Sequence, residues 1–373
     1  MRASKAADKV GVVVHGPEVI DSGNALLVLD LLERLGPVRA VLGGTMGRVA
    51  VIDAFLENRI DITQRELPSK SVQRLQKSAD VIVILNEAKC RDTGLAFGRA
   101  VTLRANPDKP LIMADFGGGF VAILAGESSC AFHLALLLSQ DLKLEITTLP
   151  HEPPNAIISE TIPFDESVKR VLVGTILGEN ISFNGTVIAR ASSSSVEIKA
   201  KNGQIVEIKG AVPKLHGLEK LPKRIDIETA ILRSGDIRRT EREVRSLKWT
   251  GQMATLIDHA AESTFEKAKG AGVVITVGDD TTAIAGDVLA RLGIPLIGIV
   301  DGDLDNLSHK TSKPPESIII TVQPGRDDVV GRRIKETIFK GENQIALNSH
   351  GVEGLVSRVK EVVGNDLISI KKL

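Results

Sequence analysis

Residues 272–305 read GVVITVGDDTTAIAGDVLARLGIPLIGIVDGDLD, and the class of the fold turns on them. Gly272 through Val277 is an apolar run without polar alternation, the pattern of a strand covered on both faces. It opens into Gly278-Asp279-Asp280-Thr281-Thr282, where Asp280 or Thr281 can cap a helix, and Ala283 to Leu292 carries helical spacing. Gly293 and Pro295 stop that helix, and Leu296 to Val300 is a second apolar run. Strand, glycine turn, helix, strand is the repeating unit of a parallel sheet, so the stretch predicts an α/β fold.

The same grammar recurs on either side. Towards the C-terminus, Ser317 to Val322 is an isoleucine-rich strand that turns at Gln323-Pro324-Gly325-Arg326-Asp327-Asp328. Val329 to Phe339 and Val352 to Val363 read as helices, followed by a short strand at 367–370. Towards the N-terminus, Val10 to Val14 runs into His15-Gly16-Pro17-Glu18, and residues 25–35 read as a helix stopped by Gly36 and Pro37. Val38 to Leu42 opens into Gly43-Gly44-Thr45-Met46-Gly47-Arg48, residues 79–85 end in Asn86-Glu87, and residues 110–114 end in Asp115-Phe116 and three glycines at 117–119. Between these halves Pro150-His151-Glu152-Pro153-Pro154 breaks the pattern, and the period changes to two. Residues 181–183 and 186–190 flank Asn184-Gly185 as a hairpin, with a second at 196–200 and 204–208. Residues 225–268 read as helical and carry a charged stretch from Arg238 to Arg245 and the single tryptophan, Trp249. The expected architecture is two Rossmann-like or flavodoxin-like parallel-sheet domains, at 9–150 and 270–373. A small antiparallel β module at 155–215 and a helical connector at 225–268 lie between them.

Composition narrows the function. The 373 residues include 47 basic and 47 acidic side chains, so the chain has no global attraction for nucleic acid or an anionic membrane. Aromatics make up 3%, with no Tyr, which argues against base-stacking platforms and leaves the cores to Val, Ile, Leu and Ala. Cys90 and Cys130 suit neither a disulfide framework nor a zinc cluster, and no apolar stretch approaches a membrane span, so the expectation is a cytoplasmic protein.

In parallel sheets ligands sit beyond the carboxyl ends of the strands, and those ends carry the candidate residues. In the first domain they are His15, Gly43, Gly44, Gly47, Arg48, Asp115, Gly117 and Gly118. Glycine-rich turns expose backbone amides that suit an anion, with Arg48 as a bidentate partner, although the full dinucleotide and Walker patterns are absent. Tight-turn geometry alone is the competing reading of Gly43 to Gly47, and a structural histidine that of His15. Arg326 could add positive charge in the last domain. The sharpest feature is Asp301, Asp303 and Asp305, just past a buried strand. Like charges this close are costly unless solvated or shared by a cation, and hard oxygen donors favour Mg²⁺. Asp279, at the neighbouring strand end, and Asp303 are the candidate catalytic residues, with Asp301, Asp303 and Asp305 as metal ligands. The competing reading is aspartates that cap helices and bond loop amides.

Gly302-Asp303-Leu304-Asp305, after a strand-Gly-Asp-helix unit, resembles the acidic motif of thiamine pyrophosphokinases and related archaeal pterin pyrophosphokinases. That resemblance implies aspartates that hold magnesium and a triphosphate. The unit is also similar to the topoisomerase-primase domain, whose acidic pair would correspond to Asp301 and Asp303, although Gly278 stands where that family has a glutamate. Over nearly its whole length the chain resembles a family of archaeal proteins, found chiefly in methanogens, with no assigned function. Val14 to Glu18, the Gly43–Gly47 turn and Gly278 through Asp305 carry that likeness.

The resulting expectation is Mg²⁺-dependent phosphoryl or pyrophosphoryl transfer to a small-molecule substrate, with ATP or a related nucleotide as donor. The rivals are a non-catalytic nucleotide- or metabolite-binding regulatory protein and topoisomerase-primase-like nucleic-acid processing. The β module, with its alternating faces, is a candidate homodimer surface.

Overall fold

The computed structural model describes residues 9–44, 47–148, 160–161, 167–184, 186–228, 230, 232–235, 244–247, 251–258, 261–302, 313–347, 349 and 351–373. The expectations for residues 150–154, Arg238 to Glu243, Trp249, Asp303 and Asp305 lie outside these. The chain divides into two compact units, Met1–Glu241 and Arg242–Leu373, and both are mixed α/β structures.

In the first unit seven strands form one sheet: β1 (Val10–His15), β2 (Val38–Gly43), β3 (Ile60–Asp61), β4 (Val81–Asn86), β5 (Leu111–Asp115), β6 (Phe120–Ala125) and β7 (Glu145–Thr148). Their order is β3-β2-β1-β4-β5-β6-β7. β1 pairs in parallel with β2 and β4, and β4 with β5, so His15, Gly43, Asn86 and Asp115 lie along one edge. The apolar runs are continuous because both faces are covered. Val12, Val14, Val83 and Leu85 pack with Val28, Leu29 and Leu32 of helix Asn24–Glu33, whereas Val13, Val41, Ile82 and Ile84 pack with Val72 and Leu75 of helix Pro68–Leu75. β6 returns antiparallel along β5, a strand not expected from the alternating pattern. Gly117 makes that return possible, since a Cβ there would collide with the carbonyl oxygen of Ala88.

Two four-stranded antiparallel sheets follow in the same unit. Their strands are β8 (Glu160–Thr161), β9 (Ser167–Val173), β10 (Asn180–Phe183), β11 (Thr186–Ala191), β12 (Ser195–Lys201), β13 (Gln204–Lys209), β14 (Ala211–Pro213) and β15 (Leu232–Ser234). Both expected hairpins are present, β10 with β11 and β12 with β13. The sheets, β14-β11-β10-β15 and β13-β12-β9-β8, share a core of Ile181, Phe183, Ile188, Val196 and Ile198. Arg170 of β9 is buried and donates at 2.7 Å to the carbonyls of Ile227 and Ala230, which ties down the approach to β15.

The second unit holds a six-stranded sheet of β16 (Met253–Asp258), β17 (Ala271–Val277), β18 (Leu296–Val300), β19 (Ile318–Val322), β20 (Gln344–Ala346) and β21 (Leu367–Lys372). The order is β20-β16-β17-β18-β19-β21, with the four central strands parallel and the flanking ones antiparallel. This corrects the helical connector expected at 225–268. There the chain contributes β15 to one sheet and β16 to another, and its only described α-helix is Thr264–Lys267. A six-residue segment such as Met253 to Asp258 has too few positions for its period to separate a buried strand from a helical turn. Among the described residues no helix is long and apolar enough to cross a membrane.

Candidate functional site

In the second unit β17 and β18 lie side by side in parallel, so the residues that follow them meet. Gly278, at φ +94°, turns the chain from β17 into helix Asp279–Leu292, a conformation side chains with a Cβ rarely adopt. Its N–H bonds the carbonyl of Ile299 at 2.9 Å, and the buried hydroxyls of Thr276 and Thr282 bond at 2.8 Å. Both contacts fix the start of the helix against the sheet. Asp279 therefore stands at the strand edge and accepts from the backbone N–H of Asp301 through Oδ2 at 3.3 Å. Its other oxygen, Oδ1, is buried without a hydrogen-bond partner. Asp301 Oδ2 accepts from the N–H of Gly325 at 2.7 Å, which draws in the turn after β19.

Burial, the Asp301 carboxyl and then the charge of Asp327 push the Asp279 carboxyl up to about 7. Two carboxyls this close share a proton more readily than they both ionise. The positive end of the helix dipole offsets part of the cost, since Asp279 and Asp280 occupy its first turn. The structure thus brings Asp279 and Asp301 together. Among the described residues no group of three or more His, Cys, Asp or Glu side chains forms a metal cage. Arg326 donates to Asp366 at 3.0 Å, and Arg333 donates to the same carboxylate at 2.8 Å, which holds Asp366 below the usual carboxylate range.

The first unit has a second polar edge. The His15 ring stacks on Phe97 with centroids 4.1 Å apart, and its Nδ1 lies 2.7 Å from Asn86 Oδ1. Asn86 Nδ2 donates to Asp115 Oδ2 at 2.5 Å. Asp115 is fully buried, and its Oδ1 accepts from the backbone N–H groups of Gly118 at 2.7 Å and Ala88 at 3.2 Å. Three N–H donors make a buried carboxylate tolerable. The strands thus bring His15 and Asp115 into one network through Asn86, a strand-end residue that the sequence pattern offers without a role.

The glycine turn packs against its own chain, in line with the tight-turn reading. Gly44 N–H bonds the carbonyl of Glu66 at 2.7 Å, Gly43 and Gly47 pack against Val13 and Leu42, and Arg48 is 1% exposed and donates to the carbonyl of Gln64 at 3.1 Å. Arg48 is buried against the loop that carries Gln64. Gly117 and Gly118 approach the chain's own backbone and Asp115.

Residues 12–342 match the model of a family described as "Uncharacterized protein conserved in archaea (DUF2117)". An uncharacterized protein of Methanocaldococcus jannaschii, MJ0065, is 40% identical over 341 residues, which cover 88% of this chain and 91% of that one. Neither description mentions a pyrophosphokinase. No solved structure matches.

Proposed function

The chain belongs to this archaeal family, and for it we propose Mg²⁺-dependent phosphoryl or pyrophosphoryl transfer to a small metabolite at the carboxyl edge of the second unit's sheet. One observation carries the reading. Asp279 and Asp301, from the ends of adjacent parallel strands, are paired there, and Asp279 Oδ1 is buried without a partner. A carboxyl pair fits magnesium, which is held by one or two carboxylates and completes its shell with water and phosphate oxygens. The oxygen donors of the pair are hard ligands, which suit magnesium better than zinc.

Bound there, the cation would neutralise charge on the oxygens of a transferring phosphoryl group. The remaining work belongs to the chain. Asp279 and Asp301 hold the ion, the Gly325 N–H orients Asp301, and the Thr276–Thr282 pair keeps Asp279 at the strand edge. Asp303 and Asp305 would extend the oxygen set, with Asp303 orienting the acceptor. ATP or a related nucleotide is the donor, and the local resemblance of residues 272–306 to pyrophosphokinases favours a pyrophosphoryl product. A Rossmann-like reading of both sheets accords with parallel strands whose carboxyl ends carry the polar groups.

Calorimetric titration of the full chain with Mg²⁺ and ATP tests this. Saturable heat is expected for the wild type and its loss for Asp279→Asn and Asp301→Asn. Undiminished nucleotide affinity in both variants would replace the enzyme with a non-catalytic binding protein. Salt-dependent retardation of DNA or RNA would favour nucleic-acid processing instead.

A further inference from the structure

The first unit carries a site of different chemistry, independent of the carboxyl pair. The order β3-β2-β1-β4-β5 reverses direction between β1 and β4, and in open parallel sheets the crevice at such a reversal receives ligands. His15 and Asn86 close β1 and β4 at that point. Asn86 spends its amide N–H on Asp115, so its Oδ1 must accept, and His15 Nδ1 must donate to it. The imidazole is thereby fixed as the Nδ1–H tautomer, and Nε2 keeps its lone pair. Nε2 makes no hydrogen bond to any described residue.

The β module supplies the opposite charge. Arg233 precedes Ser234 in β15, which Lys89 ties to the loop that leaves Asn86, the partner of His15, and the Arg233 charge acts on the imidazole. Its guanidinium makes no hydrogen bond or ion pair to any described residue. β15 is held in register by β10, Ser182 opposite Arg233, and is pinned to the loop after β4 by Lys89. The Lys89 ammonium donates to Ser234 O at 3.1 Å, to Ser234 Oγ at 3.0 Å and to Glu179 at 2.6 Å. Lys89 is thus spent on the scaffold. Burial, and then the Arg233 charge, lower the His15 pKa below its ordinary value despite the Asn86 hydrogen bond and the charges of Glu18 and Asp115.

We propose that His15 and Arg233 form a binding site for a small oxyanion-bearing metabolite, in which Arg233 holds the anionic group and His15 Nε2 accepts a hydrogen bond from a neighbouring O–H or N–H of the same ligand. Asn86 and Asp115 are positioning residues that set the tautomer. A phosphate monoester and a hydroxycarboxylate present the same pairing of oxyanion and donor.

Full-length protein with ¹⁵N-labelled histidine tests the site by NMR, with inorganic phosphate and malate as separate probes. The His15 resonances are expected to show an Nδ1–H tautomer before any addition and a saturable shift with at least one probe. Phosphate alone would identify a phosphate site and malate alone a carboxylate site. Arg233→Gln is expected to weaken the response at least tenfold while the free-state tautomer is unchanged, and Asp279→Asn is expected to leave the response intact. An Nε2–H tautomer, the absence of saturation with both probes, or an unaltered response in Arg233→Gln would overturn the proposal.

Discussion

Asp279 answers two opposing demands. In the folded chain its carboxyl keeps a proton to about pH 7, whereas the unfolded chain releases it near the ordinary value of 3.8. As pH rises from 3.8 to 7 the unfolded state loses the proton first, so this group lowers stability progressively over that window. Asp279→Asn removes the effect. With divalent cations chelated, the variant is expected to melt several degrees higher at pH 8, on the order of 1 kcal/mol after allowance for solvent screening, and to match the wild type below pH 3.8. Circular dichroism melts at the two pH values check this. His15 shifts the other way. Burial lowers its pKa despite the Asn86 hydrogen bond, so its stabilising contribution is present above 6.5 and is lost as pH falls through the folded value. An NMR titration should give a midpoint below 6.5, and His15→Gln should flatten the decline in stability on the acid side. Asp279, His15 and Asp115 were legible as polar groups that end apolar strands. Arg233 was not, because its charge acts on His15 from a separate sheet and no local period marks it.

Gly117 shows how an element depends on one missing atom. Its Cα faces the Ala88 carbonyl, and a methyl group there has nowhere to go because the neighbour is backbone. Gly117→Ala is expected to cost about 1–3 kcal/mol and to lower Tm by several degrees, as read by thermal melts of the full chain. Arg170 poses a similar test in the β module. Replacement by Met leaves the Ile227 and Ala230 carbonyls without their donor, and a loss of about 2 kcal/mol should appear as a lower urea midpoint with an unchanged slope. The strands with apolar runs beside glycine turns could be read directly, as could both hairpins. β6 was hidden because it follows β5 without a helix, which breaks the alternation that identified its neighbours. β16 was hidden because its buried run is too short to reveal a period.

At the scale of the molecule, each unit keeps its cores to itself. Among the described residues, the buried clusters of the second unit draw on residues 247–363 and those of the first on residues 10–232. Residues 242–373 expressed alone should therefore unfold cooperatively, within a few degrees of their transition in the full chain, and loss of the cooperative melt would count against self-contained units. The α/β character of both ends followed from the repeated strand-turn-helix order. The assignment of the β module to the first unit did not, because contacts such as Lys89 to Glu179 join residues far apart in the chain. Magnesium binding at the carboxyl pair decides the matter most directly, because cation and proton compete for the same oxygens. Calorimetric titration of the full chain with Mg²⁺ at pH 8 and pH 6 should show binding at pH 8 and roughly tenfold weaker binding at pH 6, with both lost in Asp279→Asn. A flat trace at pH 8, or binding that survives Asp279→Asn, would contradict the assignment.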